Sequence, residues 1–173
     1  MNKIIISLLL LLASISFSQV NTMYHDGTDC NCDSIQKMFH SDGSIHLEIP
    51  FVNGKENGIG KGYDRDGTLF RETPYVNGNR NGIQKVYNED GSIWGETPYK
   101  NGKKNGIEYQ YYKNGSLHIE RPYVNGNKNG IEYVYYKNGS LASTTKYKND
   151  VLDGQYKHCS DGRKGNAYLE CER

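Results

Sequence analysis

The sequence predicts an all-β protein, an elongated antiparallel meander of stacked 24-residue β-hairpins. Three observations predict it. A 24-residue segment recurs four times in an unbroken frame. Each copy carries Asn-Gly or Asp-Gly doublets at fixed places, and these mark tight turns because both residues tolerate positive φ at low cost. Gly, Asn and Tyr are abundant while Ala nearly disappears after residue 18, a balance of β-formers and turn residues over helix formers.

The chain opens on Lys3, an apolar run from Ile4 to Leu12, and small or polar residues ending in Ser16-Phe17-Ser18. That is the order of a cleavable signal peptide, expected to end at Ser18 and leave Gln19 as the mature N-terminus. The run is shorter than the roughly 20 residues a membrane-spanning helix needs, so no transmembrane segment is expected after cleavage. No cysteine sits at the junction, which speaks against a lipid anchor. Residues 19–32 then form an N-terminal segment, residues 33–165 the repeat array and residues 166–173 a C-terminal cap. A periplasmic or secreted location follows from this reading.

In register, the units are FVNGKENGIGKGYDRDGTLFRETP from Phe51 and YVNGNRNGIQKVYNEDGSIWGETP from Tyr75. They continue as YKNGKKNGIEYQYYKNGSLHIERP from Tyr99 and YVNGNKNGIEYVYYKNGSLASTTK from Tyr123. A degenerate half-unit ends at Pro50, and from Tyr147 the frame holds as far as Gly154. Atypical end units are what a stacked array needs, because the outermost repeats face solvent. Each unit reads as two strands and two turns: strands at Ile83–Tyr87 and Ser92–Lys100, turns at 88–91 and 77–82. Twelve strands in sequential antiparallel order, about 4.8 Å apart, make an array roughly 50 Å long.

Strand parity places Ile59, Ile83, Ile107 and Ile131 on one face with Tyr63, Tyr87, Tyr111 and Tyr135. By the same parity Leu69, Ile93, Leu117 and Leu141 align with Tyr75, Tyr99, Tyr123 and Tyr147, and these columns are expected to form the packed face. The prolines at 50, 74, 98 and 122 cannot donate to a ladder, so each unit should carry a bulge or break there, curving the sheet.

The pattern Tyr99-Lys100-Asn101-Gly102-Lys103-Lys104-Asn105-Gly106, then Tyr111, then Asn114-Gly115-Ser116-Leu117 resembles the bacterial variant of the MORN repeat. Chains built of such units look like the group of YwqK-type toxin–antitoxin antitoxins. The resemblance covers about residues 33–165 and implies an all-β array presenting a protein-binding surface, with no catalytic residues to carry over.

Charge and side-chain chemistry bound the function. Removing Lys3 takes the formal charge from +1 to neutral, a poor match for nucleic acid. Residues 19–50 are net acidic, with Lys37 against Asp26, Asp29, Asp33, Asp42 and Glu48, whereas residues 99–146 are net basic. The best catalytic candidate is the column Glu48, Glu72, Glu96 and Glu120. Glycoside hydrolysis needs two carboxyls about 5–5.5 or 6.5–9.5 Å apart in one pocket. Here stacked equivalents lie about 9–10 Å apart and simply repeat. The column reads as a solvated edge balanced by Lys and Arg, so neither an enzyme nor a cofactor is expected. Metal is not expected either: His25, Asp29, Cys30 and Cys32 match no zinc spacing, and Asp64-Arg65-Asp66-Gly67 lacks the later Glu of a calcium loop.

Exposed aromatics are efficient anchors. Trp94, Tyr109, Tyr112, Tyr133 and Tyr136 are the expected binding set, for another protein or, alternatively, for cell-wall glycan on an aromatic ladder. Cys159 and Cys171 are expected to form a C-terminal disulfide. Cys30 and Cys32 leave a strained bridge, free thiols or intermolecular pairing all open.

Overall fold

The computed structural model of the chain describes residues 33–154 and 157–158. These form one antiparallel sheet of sixteen strands, with no helix among the described residues. In order the strands are β1 (Ser34–Phe39), β2 (Ile45–Val52), β3 (Lys55–Glu56), β4 (Gly58–Tyr63), β5 (Leu69–Val76), β6 (Asn79–Arg80), β7 (Gly82–Tyr87) and β8 (Ile93–Lys100). They continue as β9 (Lys103–Lys104), β10 (Gly106–Tyr111), β11 (Leu117–Val124), β12 (Asn127–Lys128), β13 (Gly130–Tyr135), β14 (Leu141–Lys148), β15 (Val151–Leu152) and β16 (Lys157–His158). The all-β meander is therefore as expected. The strand count exceeds the expected twelve because the second turn of each unit is itself a small hairpin, whose returning arm is the two-residue strand β3, β6, β9, β12 or β15.

Turn chemistry sets that geometry. Asn77 (φ 50°) and Gly78 (φ 83°) are both left-handed, the two-residue turn whose twist matches its flanking strands. The N–H of Gly78 donates to the carbonyl of Glu56, and that of Gly102 to Arg80, so each arm stacks on the one before. At the opposite end of the strands, Asp42, Asp66 and Asp90 accept the N–H two residues on, closing the Asp-Gly turns.

The ladder breaks at Pro50, Pro74, Pro98 and Pro122, and equally at Lys146 in the fourth complete unit. The carbonyl there still points at the following unit, Pro74 accepting from Asn81 at 2.9 Å and Lys146 from Asp153 at 2.8 Å. Pairing runs Tyr75↔Arg80, then resumes at Glu72↔Lys85, with the chain bulging out between. Gly82 (φ 120°) sits against the ring, and a Cβ there would meet Pro74 Cγ at 2.9 Å. Gly58, Gly106 and Gly130 repeat this against Pro50, Pro98 and Pro122.

A second irregularity overturns the parity argument. Each hairpin slips register beside its tyrosine or phenylalanine, leaving His46, Phe70, Trp94, His118 and Ala142 as extra residues on the long strands. Leu69 pairs with Tyr63 on one face, while beyond Phe70 the strand turns over. Tyr75 therefore lies on the other face, its Cε2 3.0 Å from where a Gly60 Cβ would be. Leu69 and Tyr75 do not share a column face, contrary to the expectation, because one inserted residue inverts a period-two pattern.

The two faces differ. One, the isoleucine face, carries Ile59, Ile83, Ile107 and Ile131 with Tyr63, Tyr87, Tyr111 and Tyr135. The other, the threonine face, carries Thr73, Thr97 and Thr145 with Tyr75, Tyr99, Tyr123 and Tyr147. The expected packed isoleucine column is not packed: the four isoleucines are 41–54% exposed. Burial concentrates on the threonine face, at Thr73, Tyr99, Glu108, Tyr123 and Glu132. Among the described residues no second layer covers either side of the sheet, and no described side chain falls below 2% exposure.

Candidate functional site

On the isoleucine face, a repeated hydrogen bond sews unit to unit. Tyr63 donates to Glu48 at 3.1 Å, Tyr87 to Glu72 at 2.7 Å, Tyr111 to Glu96 at 3.2 Å and Tyr135 to Glu120 at 3.3 Å. Burial, then the bonded carboxylate, pushes the Tyr87 phenol up to about 12, and Tyr63 and Tyr111 move the same way. A hydrogen bond from Lys37 holds Glu48 below its ordinary range. The Glu column is thus half-buried and bonded in mid-sheet rather than a solvated edge. Its carboxylates serve the seams between units.

Towards the arms, the same face turns apolar. Ile35 is 62% exposed and begins a row continued by Ile59, Ile83, Ile107 and Ile131. Each of the later four pairs across its hairpin with Pro74, Pro98, Pro122 or Lys146. Val76 and Val124 extend the band, exposed at 43% and 46%. Cations interrupt it: Lys100 pairs with Lys103 where two units have Val with Asn and the end units pair one Val with one Lys.

The threonine face is ionic and aromatic. Arg80 stacks on Tyr99 at 4.1 Å, Lys104 on Tyr123 at 4.6 Å and Lys128 on Tyr147 at 4.5 Å. Glu108 accepts from Lys104 (2.6 Å), Arg121 (3.1 Å) and Thr97 (3.1 Å). Burial raises the Glu108 carboxyl, but these donors outweigh it and leave the group below its usual range. Arg121 also bonds Glu132, closing a buried network across two units.

Of the five aromatics expected to be exposed, Trp94 is, and the four tyrosines are half-buried. Trp94, one of the inserted residues, is 45% exposed in a column with His46, Phe70 and His118. Tyr112 stacks on His118 at 4.2 Å and donates to the Tyr135 carbonyl. Tyr109 and Tyr133 lie on the isoleucine face, half-buried, each 6.5 Å from the ring of Tyr111 or Tyr135. Tyr136, at the place of Tyr112 one unit on, is also half-buried. Cys30, Cys32, Cys159 and Cys171 lie outside the described residues, as does the expected signal peptide. Among the described residues no three metal-ligating side chains gather, and no helix is long and apolar enough to cross a membrane.

Sequence reasoning missed the isoleucine row as a surface. The signal was the Ile after the second Asn-Gly of each complete unit, but period-two parity says which residues share a face and not which face is covered.

The family model described as the MORN repeat variant matches residues 56–77, 80–101, 104–125 and 128–149. Each match begins at the second residue of an arm, Glu56, Arg80, Lys104 or Lys128. No curated protein matches the chain.

Proposed function

The chain belongs to the MORN repeat variant family, and from that premise we propose that it is a non-enzymatic scaffold binding another protein at the bacterial cell envelope. The observation that carries the reading is the isoleucine row. Five large apolar side chains stand exposed in line along one face, while the Tyr–Glu ladder beside them is already satisfied. An exposed apolar band of this kind, rigidly presented, marks an interaction surface. Lys100 and Lys103 within the band suit a partner element with one apolar and one acidic stripe. The role is immunity-like: the scaffold holds a protein partner, exported into the same compartment, by its surface. Export is the reading of residues 1–18 as a signal peptide.

A second reading, glycan stacking, is favoured by the column His46, Phe70, Trp94 and His118 on the threonine face. One experiment separates the two. The immobilised chain is exposed to an envelope extract beside an Ile83→Ser/Ile107→Ser variant, a Lys100→Glu/Lys103→Glu variant and a Phe70→Ala/Trp94→Ala variant. A single protein recovered near one-to-one, and lost with the first two variants, supports the scaffold reading. Wall fragments retained without stoichiometric protein, and lost with the third, replace it with the glycan reading.

A further inference from the structure

β1 occupies the place that β4, β7, β10 and β13 occupy in later units, yet among the described residues no strand covers its outward side. In the later units that side takes two residues of the preceding long strand, as Glu48 takes Lys61 and Glu72 takes Lys85. Two residues show that β1 is not made to receive another such unit. The glycine that admits the preceding proline, Gly58 in the next unit, is here Ser34. The tyrosine that bonds the preceding glutamate, Tyr63 in the next unit, is here Phe39. Head-to-tail stacking of arrays would lack both seam contacts.

Among the described residues the edge is nonetheless unguarded. Natural sheets blunt a free edge with Pro, bulges or outward charge. β1 has neither Pro nor Gly, and its one charge, Lys37, is held by Glu48 at 2.9 Å. Ser34 to Met38 are all exposed, Ile35 at 62% and Met38 at 39%. The backbone of β1 also faces outward, with no partner on that side among the described residues. Pro50 turns its carbonyl away from β1 towards Asn57, so its partner Ile35 turns its own N–H and C=O outward, and Lys37, two residues on, follows.

We propose that β1 is a self-association edge, on which two copies pair β1 to β1, antiparallel, about a two-fold axis at Lys37. That register sets Ile35 against Phe39 of the second copy twice, on the isoleucine face, and Gln36 beside Met38 on the other. Each Lys37 at the axis keeps its own Glu48. The contact is isologous and closes at two copies. A six-residue edge buries less than the roughly 1,200 Å² of a standard stable interface, so the dimer is reversible and concentration-dependent. Pairing joins the two isoleucine rows into one.

Sedimentation equilibrium of the chain as recovered from the expressing cell tests this, with reductant present so that an interchain disulfide cannot stand in for pairing. The mass is expected to climb from one chain towards two between micromolar and high micromolar concentrations. Ile35→Pro removes an outward N–H at an edge where proline is tolerated. It should stay monomeric with an unchanged melting curve. Ile35→Lys, which keeps the N–H, should weaken the dimer at least tenfold, while Val151→Lys at the far end should leave it intact. Wild-type chain that stays monomeric throughout overturns the proposal. So does a dimer that survives both Ile35 variants, or one lost equally with Val151→Lys.

Discussion

Tyr87 donates its phenol hydrogen to Glu72, 2.7 Å away and fifteen residues earlier, across the seam between two units. The same bond recurs at every internal seam, and the ends of the array lose both partners together. Phe39 stands first in the tyrosine column, with no described glutamate before it, and Thr144 stands last in the glutamate column. Tyrosine is kept where a carboxylate waits for it. Tyr87→Phe is therefore expected to destabilise the chain by about 1.5–3 kcal/mol, the size of a hydrogen bond to a charged group. Phe39 shows that the ring alone fits. Urea unfolding of Tyr87→Phe, Glu72→Gln and the double variant should show non-additive losses. Additive losses would mean the bond contributes nothing of its own.

Pro74 and Gly82 make the second seam contact. Gly82→Ala meets two penalties: φ of 120° is hostile to an L side chain, and the new Cβ falls 2.9 Å from Pro74 Cγ. A loss of about 2–3 kcal/mol is expected. Adding Pro74→Ala should recover only part of it, since the contact is relieved and the backbone strain is not. Full recovery in thermal melts would assign the whole cost to the ring.

Much of this architecture was legible in the sequence, because repeat, turns and prolines all act locally. Asn77-Gly78 dictates its own turn, and Pro74 marks the place where the ladder breaks, although the same break at Lys146 shows that the missing donor is not what makes it. The faces were not legible. One inserted residue per hairpin, Phe70 in one unit and Trp94 in the next, inverts the strand, and nothing in the composition of Leu69-Phe70-Arg71 announces it. The candidate site was less legible still. Of the five aromatics expected to be exposed, four are half-buried, while the exposed isoleucines resemble core residues until it is seen that no described layer covers them. Lys100 and Lys103 were legible only as part of a net charge, since their pairing depends on the arm hairpin.

The stacked cations differ in what else they hold, and that predicts unequal costs. Arg80 lies over Tyr99, so Arg80→Ala should cost about 0.5–1 kcal/mol. Lys104 lies over Tyr123 and also neutralises Glu108, which is only 6% exposed. Lys104→Met should cost about 2–3 kcal/mol, because it leaves a buried carboxylate short of a partner. Glu108→Gln combined with Lys104→Met should then regain stability over Lys104→Met alone. A double variant no more stable than the single in denaturant titration would show that Lys104 acts by its packing.

Acid and alkali should open the sheet at different contacts. Glu108 has its carboxyl lowered on folding, against burial, by Lys104, Thr97 and Arg121. A lowered folded value means its stabilisation is present above the unfolded value, near 4.5, and is lost as pH falls through the folded one. Melting temperature should therefore drop below pH ~4.5 in wild type and less steeply in Glu108→Gln. Tyr87 has the opposite sign. Its phenol is raised from 10.0 to about 12, first by burial and then by Glu72. Its stabilisation is present below 10.0 and vanishes as pH rises towards about 12. Ultraviolet titration of the phenols should show a late-ionising group that disappears in Tyr87→Phe, with the melting temperature falling over the same window. If all tyrosines ionised together near 10, the ladder would not be the bond that fails in alkali.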